Sequence, residues 1–390
     1  MDYCTITLVL QDNANVCPNV SSTLIAINGK VSRDQNVIKG VDVTIESIVP
    51  EVNKTIKSDA NGNYSFASLP KANNFTISMT DNRNILNGVS TLDLVMIQRH
   101  ILGIEVLNDP KKIIAADVDN NSKVTASDLV ALRKNILGIS NEFPNGQKSW
   151  RFITNNQVFT DPSKPFPFTE KYVYTQLNDN KVNQNFFGIK IGDVNNSAVV
   201  NIHEANIESR SKNILALETD LLDVKAGEVI SVPVFTNTFE DVYGYQFTMQ
   251  FDPSLYSFVD VTPNALKVND ANFGFHRTNE GIITTSWNND DAITLPKGDV
   301  LFTLKFKVNK NATNSGVISV SSLVKTAIDY DGAYHTMDIK IDNRNSTVIA
   351  CFELLQNIPN PFNDNTQITF RLPEEGKTSI TVTDITGKIL

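Results

Sequence analysis

The stretch SKVTASDLVALRKNILGIS, residues 122–140, repeats an earlier stretch of the chain, NGVSTLDLVMIQRHILGIE, residues 87–105. The copies lie 35 residues apart, and Val, Asp, Leu-Val and Ile-Leu-Gly-Ile recur in register. Within each copy the apolar residues fall at helical spacing, and a glycine follows where a helix would end. The repeat predicts two loop–helix units that bury facing apolar stripes, because neither short helix would be stable alone.

Polar residues precede the second helix at alternate positions in DVDNNSKVTASD, residues 117–128. A 12-residue calcium loop takes oxygens from positions 1, 3, 5, 7, 9 and 12, because a large hard cation requires six or more of them. Serine at position 6, where glycine is usual, is expected to weaken such a site by about 1 kcal/mol without abolishing it. The alternative is a plain helix capping box with upstream Asx turns, and the two are compatible. The predicted calcium ligands are Asp117, Asp119, Asn121, the Lys123 carbonyl, Thr125 and Asp128.

Two other segments form weaker versions of this loop. In the first copy Asp93 matches Asp128, but the preceding loop carries little charge, so a plain cap formed by Ser90 and Asp93 is favoured there. Residues 193–204 offer oxygens at the right offsets, but no strongly apolar helix follows. They are interpreted either as a separate weak site or as a donor to the degenerate first loop. The candidate ligands in these segments are Asp93, Asp193, Asn195, Ser197 and Glu204.

The composition is that of a folded, mainly β-structured chain. Of 390 residues, 41% are hydrophobic and 20% charged, and abundant Phe, Tyr, Thr, Val, Asn and Asp favour short strands and turns. A net charge of −9 without a dense Lys and Arg cluster argues against nucleic acid as a partner. No apolar run has the length of a membrane span, and TITLVL is too short for a signal peptide, so we expect Met1 to be a cut inside a longer chain.

Alternating apolar and polar stretches flank the repeat on both sides and predict β-sandwiches there. The fold class is therefore mainly β and multidomain. The predicted domains are 1–21, the end of a preceding extracellular β-domain; 22–80, a small β-sandwich; 81–205, a helical calcium module with an extended tail; 206–348, a larger β-sandwich; and 349–390, a partial C-terminal β-domain.

The duplicated loop–helix resembles a dockerin, in a version known from secreted multidomain proteins of Bacteroidetes type. SWRF at 149–152 and GIKIGDVNNS at 188–197 are similar to segments that follow its second helix. The resemblance implies calcium binding and attachment to a partner protein module. It places the partner-reading positions near the helix starts, at Ser90, Thr91, Ala126 and Ser127.

KAGEVISVPVFTN and YGYQFTMQFDPSLYSF, within residues 206–348, resemble a cohesin-type module, the jelly-roll partner fold of dockerins. The resemblance implies a non-catalytic sandwich that binds protein or, in relatives, carbohydrate. The alternative is a spacer domain without a ligand. Trp287 and Tyr330 are the aromatic candidates for stacking on a sugar.

Two further resemblances concern the ends of the chain. Residues 22–80 resemble the carboxypeptidase-regulatory-like, prealbumin-type β-domain, through G-K-V, G-V-D-V-T-I and D-A-N-G-N-Y-S-F-A-S-L-P. QNIPNPFNDNTQITFRL, residues 356–372, is similar to the start of a type A sorting domain of the type IX secretion system. This implies that the full-length protein meets the outer-membrane export machinery and is secreted or displayed at the cell surface.

Three cysteines are too few for a disulfide scaffold. Cys4 and Cys17 could pair in an exported protein, which would leave Cys351 over, or all could remain thiols.

No catalytic constellation is present in the sequence. The four histidines are scattered, and Asp290 and Asp291 are adjacent in a segment better interpreted as a solvated loop than as a glycosidase pair. We therefore expect a non-catalytic, calcium-stabilised, secreted or surface protein that mediates protein–protein or polysaccharide attachment in a polysaccharide-degradation setting. The alternatives are the accessory C-terminal region of an exported hydrolase and a structural adhesin stalk.

Overall fold

The computed structural model describes residues 24–201 and 214–321 without a break, then 328–330, 335–344 and short pieces beyond residue 352. Two β-sandwiches and a set of three α-helices make up this part of the chain, which confirms the mainly β, multidomain class. None of its helices is both long and apolar enough to cross a membrane. The three cysteines, the segment 1–21 and the PNPF motif lie outside the described residues.

The first sandwich takes its strands from two distant parts of the chain. One sheet has the order β2-β1-β9-β7, with β5 also paired to β1, and the other has the order β4-β3-β6-β8. The strands are β1 (Leu24–Arg33), β2 (Asn36–Val37), β3 (Asp42–Ser47), β4 (Lys54–Lys57), β5 (Asn63–Pro70), β6 (Asn73–Thr80), β7 (Trp150–Thr154), β8 (Lys171–Leu177) and β9 (Phe186–Lys190).

The boundary predicted at residue 80 does not coincide with the edge of this sandwich. Strand β9 pairs in parallel with β1, and β8 pairs antiparallel with β6. Trp150, Phe152 and Phe186 are buried in the same core as Ile27 and Phe66. Three strands of the expected helical-module tail therefore belong to the sandwich, because their apolar faces close its core.

The helices connect β6 to β7. They are α1 (Thr91–Ile101), α2 (Pro110–Ala116) and α3 (Ala126–Ile136). The two predicted helices are confirmed: Leu94 and Ile97 of α1 are buried in one cluster with Leu132 and Ile136 of α3. Helix α2 was not predicted; Asp109 caps it by accepting a hydrogen bond from the backbone of Lys111 at 2.8 Å.

The second sandwich begins at residue 214 and has the strand order β13-β16-β11-β10-β20-β19-β12-β15-β14, with β17 paired to β10 and β18 to β12. Its core is rich in aromatic residues. Its strands are β10 (Ile214–Val224), β11 (Val229–Thr236), β12 (Val242–Gln250), β13 (Tyr256–Pro263), β14 (Phe273–Gly274), β15 (Ile282–Ile293), β16 (Val300–Val308), β17 (Ala312–Gly316), β18 (Ser319–Ser321), β19 (Ile328–Tyr330) and β20 (Thr336–Arg344). A separate pair follows, β21 (Glu353–Leu354) with β22 (Phe370–Arg371).

Candidate metal loops and module interface

The loop between α2 and α3 folds around converging carboxylates. Oxygens of Asp117, Asp119 and Asp128 lie within 4.8 Å of one another. Asp117 accepts hydrogen bonds from the backbone N–H groups of the fourth and fifth residues after it, at 2.9 and 3.1 Å. Asp128 accepts from the backbone N–H of Asp119 at 3.0 Å and from that of Thr125 at 2.8 Å. The capping box and the converging oxygens therefore occur together, as the sequence allowed.

Two residues in the left-handed region bend this loop: Asn120 with φ 57° and Ser122 with φ 65°. Asparagine adopts this conformation readily, whereas serine does so at a cost. Ser122 is the residue where the loop pattern usually has glycine, so its expected strain is present in the backbone. The side-chain oxygen of Asn121 accepts a hydrogen bond from the backbone of Lys123 at 2.9 Å, which tightens the same turn.

The charges in this loop are not balanced. Burial raises the pKa of Asp117 to about 6 and raises the pKa of Asp128 as well. Arg151 lies 3.7 Å from Asp117, but its guanidinium donates to Glu170 at 2.7 and 2.9 Å. One carboxylate oxygen of Asp119, Oδ1, is buried without a hydrogen-bond partner in the described structure. An anionic group of oxygens with one buried and unpartnered member fits a hard divalent cation.

A segment from far along the chain lies on the degenerate first copy. Asp93 of α1 accepts the predicted capping hydrogen bond from the backbone N–H of Ser90 at 2.9 Å. Its other oxygen accepts from the backbone N–H groups of Val194 at 2.8 Å and Asn195 at 3.3 Å. Residues 194 and 195 thus lie at the start of α1, where a donor to the first loop would have to be, and their role as metal ligands stays a prediction.

Two basic side chains contact or lie beside the loop formed by residues 193–198. Arg33, at the end of β1, donates from Nη2 to Asp193 Oδ2 at 2.7 Å and to Asn196 Oδ1 at 2.8 Å. Lys190 is buried beside it and donates to two backbone carbonyls at 2.7 and 3.2 Å. Burial lowers the pKa of Lys190 to about 7, against the attraction of Asp193, and raises the pKa of Asp93 well above its usual range.

The other candidate ligands in this segment are engaged in the loop itself. The side-chain oxygen of Asn195 accepts from the backbone N–H of Ser197 at 2.9 Å, and the Ser197 hydroxyl donates to the Gly88 carbonyl at 3.0 Å. Glu204 lies outside the described residues.

The start of α1 packs against the face of the second sandwich formed by β12 and β15. Thr91 is completely buried there. Its backbone N–H donates to Gln246 Oε1 at 2.8 Å, and its hydroxyl lies 3.1 Å from the same oxygen and 2.8 Å from the Ser286 hydroxyl. Gly244 makes this approach possible, since a Cβ at that position would lie 2.9 Å from the Thr91 methyl group.

The end of α3 contacts the same sheet face. The Thr284 hydroxyl donates to the Leu137 carbonyl at 2.7 Å. The side chain of Asn288 joins both helices, because its amide donates to Gln98 of α1 while its oxygen accepts from Arg133 of α3.

A charged contact borders this interface. Arg99 of α1 donates to the backbone carbonyl of Asp290 and lies 3.8 Å from the Asp291 carboxylate. Its guanidinium carbon is 5.4 Å from the centre of the Tyr243 ring, within the range of a cation–π interaction. Asp290 and Asp291 thus lie in strand β15, at the edge of a contact between modules.

Only one of the four predicted partner-reading residues lies in this interface. Thr91 is there, Ser90 caps α1, and Ala126 and Ser127 are exposed at the start of α3. The interface residues on the second sandwich were not predicted, because polar residues of an alternating strand are normally assigned to the solvent-exposed face. One sequence signal was available, because IITTSW at 282–287 carries no charged residue. The structure buries all six positions, and Thr284 and Ser286 face the helices. The interface residues that sequence reasoning missed are Gln98, Arg99, Arg133, Leu137, Gln246, Thr284, Ser286 and Asn288.

The expectation that Trp287 stacks on a sugar was wrong. Its side chain is 4% exposed, and its ring stacks on Tyr245 with 5.5 Å between ring centres. Because side chains alternate along β15, Ser286 faces the helices and Trp287 points into the core. The side chain of Tyr330 lies outside the description.

Comparison with known proteins agrees with two of the resemblances. Residues 87–137 match the dockerin type I domain, and residues 215–348 match the cohesin domain. No curated protein matches the chain.

Several solved structures are similar to part of the chain. The sixth cohesin of Acetivibrio cellulolyticus scaffoldin B, solved in complex with a mutated Cel5 dockerin, is 17% identical and has a TM-score of 0.28; the match covers 34% of this chain and 98% of that chain. A chain of a type I cohesin–dockerin complex from Clostridium thermocellum is 17% identical and has a TM-score of 0.26; the match covers 34% of this chain and 100% of that chain. A cohesin from Clostridium acetobutylicum is 19% identical and has a TM-score of 0.27; the match covers 34% of this chain and 87% of that chain. On the domain matches, the chain carries a dockerin-type segment and a cohesin domain.

Proposed function

We propose that this is a non-catalytic attachment protein whose cohesin sheet binds dockerin helices, in this structure those of its own chain. The observation that supports this is the polar interface at the start of α1 and the end of α3. Thr91, Thr284 and Ser286 are at most 2% exposed, and each has a hydrogen-bond partner across the contact. A buried polar group without a partner costs about 1–3 kcal/mol, so this pairing favours one docked arrangement over others.

Calcium is the cation proposed for the loop 117–128. The support is chemical: three carboxylates lie within 4.8 Å, one buried Asp119 oxygen has no hydrogen-bond partner among the described residues, and the nearby Arg151 is hydrogen-bonded to Glu170. When bound, the ion supplies positive charge that fixes the start of α3. The residues proposed to hold it are Asp117, Asp119, Asn121, the Lys123 carbonyl, Thr125 and Asp128.

Cutting the chain between its modules tests the internal docking. A protease site inserted between residues 206 and 207 leaves both modules whole after cleavage. The two halves should co-elute in size-exclusion chromatography, because the interface persists without the covalent link. Thr91→Arg places a bulky charge in the buried contact and should separate them. Its matched control is Ala126→Arg, at the equivalent but exposed position of the other repeat copy. Separation of the unmodified halves at micromolar concentration would contradict the proposal.

The wider setting is proposed from the resemblances alone. These suggest a secreted or surface protein of polysaccharide-degrading bacteria that leaves the cell through the type IX machinery. An accessory region of an exported hydrolase fits them equally.

A structural stalk is the second candidate, and the internal docking favours it because each module already covers a face of the other. Binding of external dockerin modules to the Thr91→Arg chain, but not to the unmodified chain, would identify an attachment protein closed by its own helices. No binding to either would favour the stalk.

A further inference from the structure

The two loops at the helix starts share one hydrogen-bond geometry. Asp117 accepts from the fourth and fifth backbone N–H groups after it at 2.9 and 3.1 Å, and Asp193 does the same at 2.9 and 3.1 Å. The fourth residue of each loop is left-handed: Asn120 at φ 57° and Asn196 at φ 64°. Residues 193–198 thus share the aspartate hydrogen bonds and the left-handed fourth residue of loop 117–122, although only the latter is also left-handed at its sixth residue, Ser122.

The helix carboxylate completes each loop in the same way. Asp128 accepts from the loop backbone at 3.0 Å and from its own cap residue at 2.8 Å. Asp93 accepts from the loop backbone at 2.8 Å and from its own cap residue at 2.9 Å. Each site thus has a first-position aspartate and a helix aspartate, both at most 1% exposed.

The two sites differ in what balances these carboxylates. At Asp193 the balance is internal, because Arg33 donates to it at 2.7 Å and to the left-handed Asn196 at 2.8 Å. The side chains of Arg33 and Asp193 are 7% and 0% exposed, so the pair is shielded from water. Lys190 adds a second buried cationic side chain. The loop 117–128 has a third carboxylate, and its arginine is shared. Arg151 lies 3.7 Å from Asp117 and donates to Asn120 at 2.9 Å, but it makes its two carboxylate hydrogen bonds to Glu170.

We infer that Arg33 takes the place of a metal ion at the first half of the dockerin-type segment, so that loop 193–198 is closed by a guanidinium and does not bind calcium. The guanidinium of Arg33 occupies oxygens of Asp193 and Asn196 that a cation would otherwise take, and its charge offsets that of Asp193. Arg33 belongs to the first sandwich, so the same contact joins that sandwich to the start of α1. This inference does not depend on the internal docking.

The consequence concerns the docking surface. Thr91 is the first residue of α1 and lies two residues before Asp93, the carboxylate of the arginine-closed site. The end of α1 that contacts the cohesin sheet is therefore closed without a metal ion, whereas the start of α3 carries the carboxylates proposed to bind calcium.

Counting calcium on the full chain tests the inference. Equilibrium dialysis followed by metal analysis should give one ion per chain, none for Asp117→Ala and one for Asp193→Asn. Two ions per chain, falling to one in Asp193→Asn, would overturn it. A count of zero in the unmodified chain would instead remove the calcium site proposed for 117–128.

If the unmodified chain binds no calcium, a second measurement still tests whether Arg33 closes loop 193–198. Arg33→Met, made in the Asp117→Ala background, should lower the Tm by several degrees in chelator, and millimolar calcium should recover part of this loss, since only loop 193–198 can then respond. The matched control is Arg83→Met, which breaks another arginine–aspartate pair, at 2.5 Å, and should show no recovery. An unchanged Tm for Arg33→Met, or equal recovery in both variants, would contradict the inference.

Discussion

Two loops with the same pattern of aspartate hydrogen bonds lie at the starts of α1 and α3, but they are built differently. The loop before α3 is continuous with its helix, and its three carboxylates have only Arg151 nearby, 3.7 Å from Asp117 and hydrogen-bonded to Glu170. The loop on α1 comes from residues 193–198, and Arg33 donates to its first aspartate at 2.7 Å. We infer from the difference that a loop of this shape can be closed by a side chain's positive charge where tertiary structure brings that side chain to it.

The largest expected effect is at the arginine-closed loop. Asp193→Asn leaves Arg33 buried without its charged partner, so the free energy of unfolding should fall by about 3–5 kcal/mol, with or without calcium. Denaturant unfolding followed by Trp150 fluorescence in a Trp287→Phe background measures it.

Asp42→Asn is the control for that loss. Its pair with Lys57, at 2.6 Å, is exposed on the same sandwich and should contribute at most about 1 kcal/mol. Similar losses at the two positions would show that the Arg33 contact is an ordinary surface pair.

The next effect is at the continuous loop. Calcium at a hundredfold excess over its Kd should stabilise the loop-bearing module by about 2.7 kcal/mol, and Asp117→Ala should abolish this difference. Thermal melts with and without chelator measure it. In Asp193→Asn the calcium-dependent difference should persist on a lower baseline; its loss there would mean that the two loops share one ion.

These contrasts mark how far sequence reasoning reaches. The helices, the carboxylates of loop 117–128 and the two β-rich regions follow from local patterns, and the structure has them. The origin of the other loop was open in the sequence, because Asp93 and Val194 are 101 residues apart. Arg33 gave no signal at all, since a lone arginine at a strand end is ordinary surface chemistry until β1 pairs with β9.

A smaller effect is expected from pH. Burial raises the pKa of Asp117 from 3.8 to about 6, so without metal its contribution to stability falls as pH rises between these values. Calcium requires the ionised form, so its apparent Kd should rise by about tenfold between pH 7 and pH 5. Calorimetric titration at the two pH values measures it, and an equal Kd at both would place the ion away from Asp117.

The smallest effect is at Ser122. Ser122→Gly removes the left-handed strain at φ 65° but makes the unfolded chain more flexible, so stability should change by less than about 1 kcal/mol. The calcium affinity should rise modestly, because the loop reaches its binding shape more easily. A large loss of affinity would show that the serine side chain itself takes part in binding.

Hydrogen–deuterium exchange in calcium and in chelator tests the contrast between the two loops most directly. In chelator, peptides covering 117–128 should exchange faster, because the amides bonded to Asp117 and Asp128 lose the ion that holds those carboxylates in place. Peptides covering 193–198 should exchange at the same rate in both conditions. Faster exchange of both segments in chelator, or of neither, would contradict a division between one calcium-held loop and one arginine-held loop.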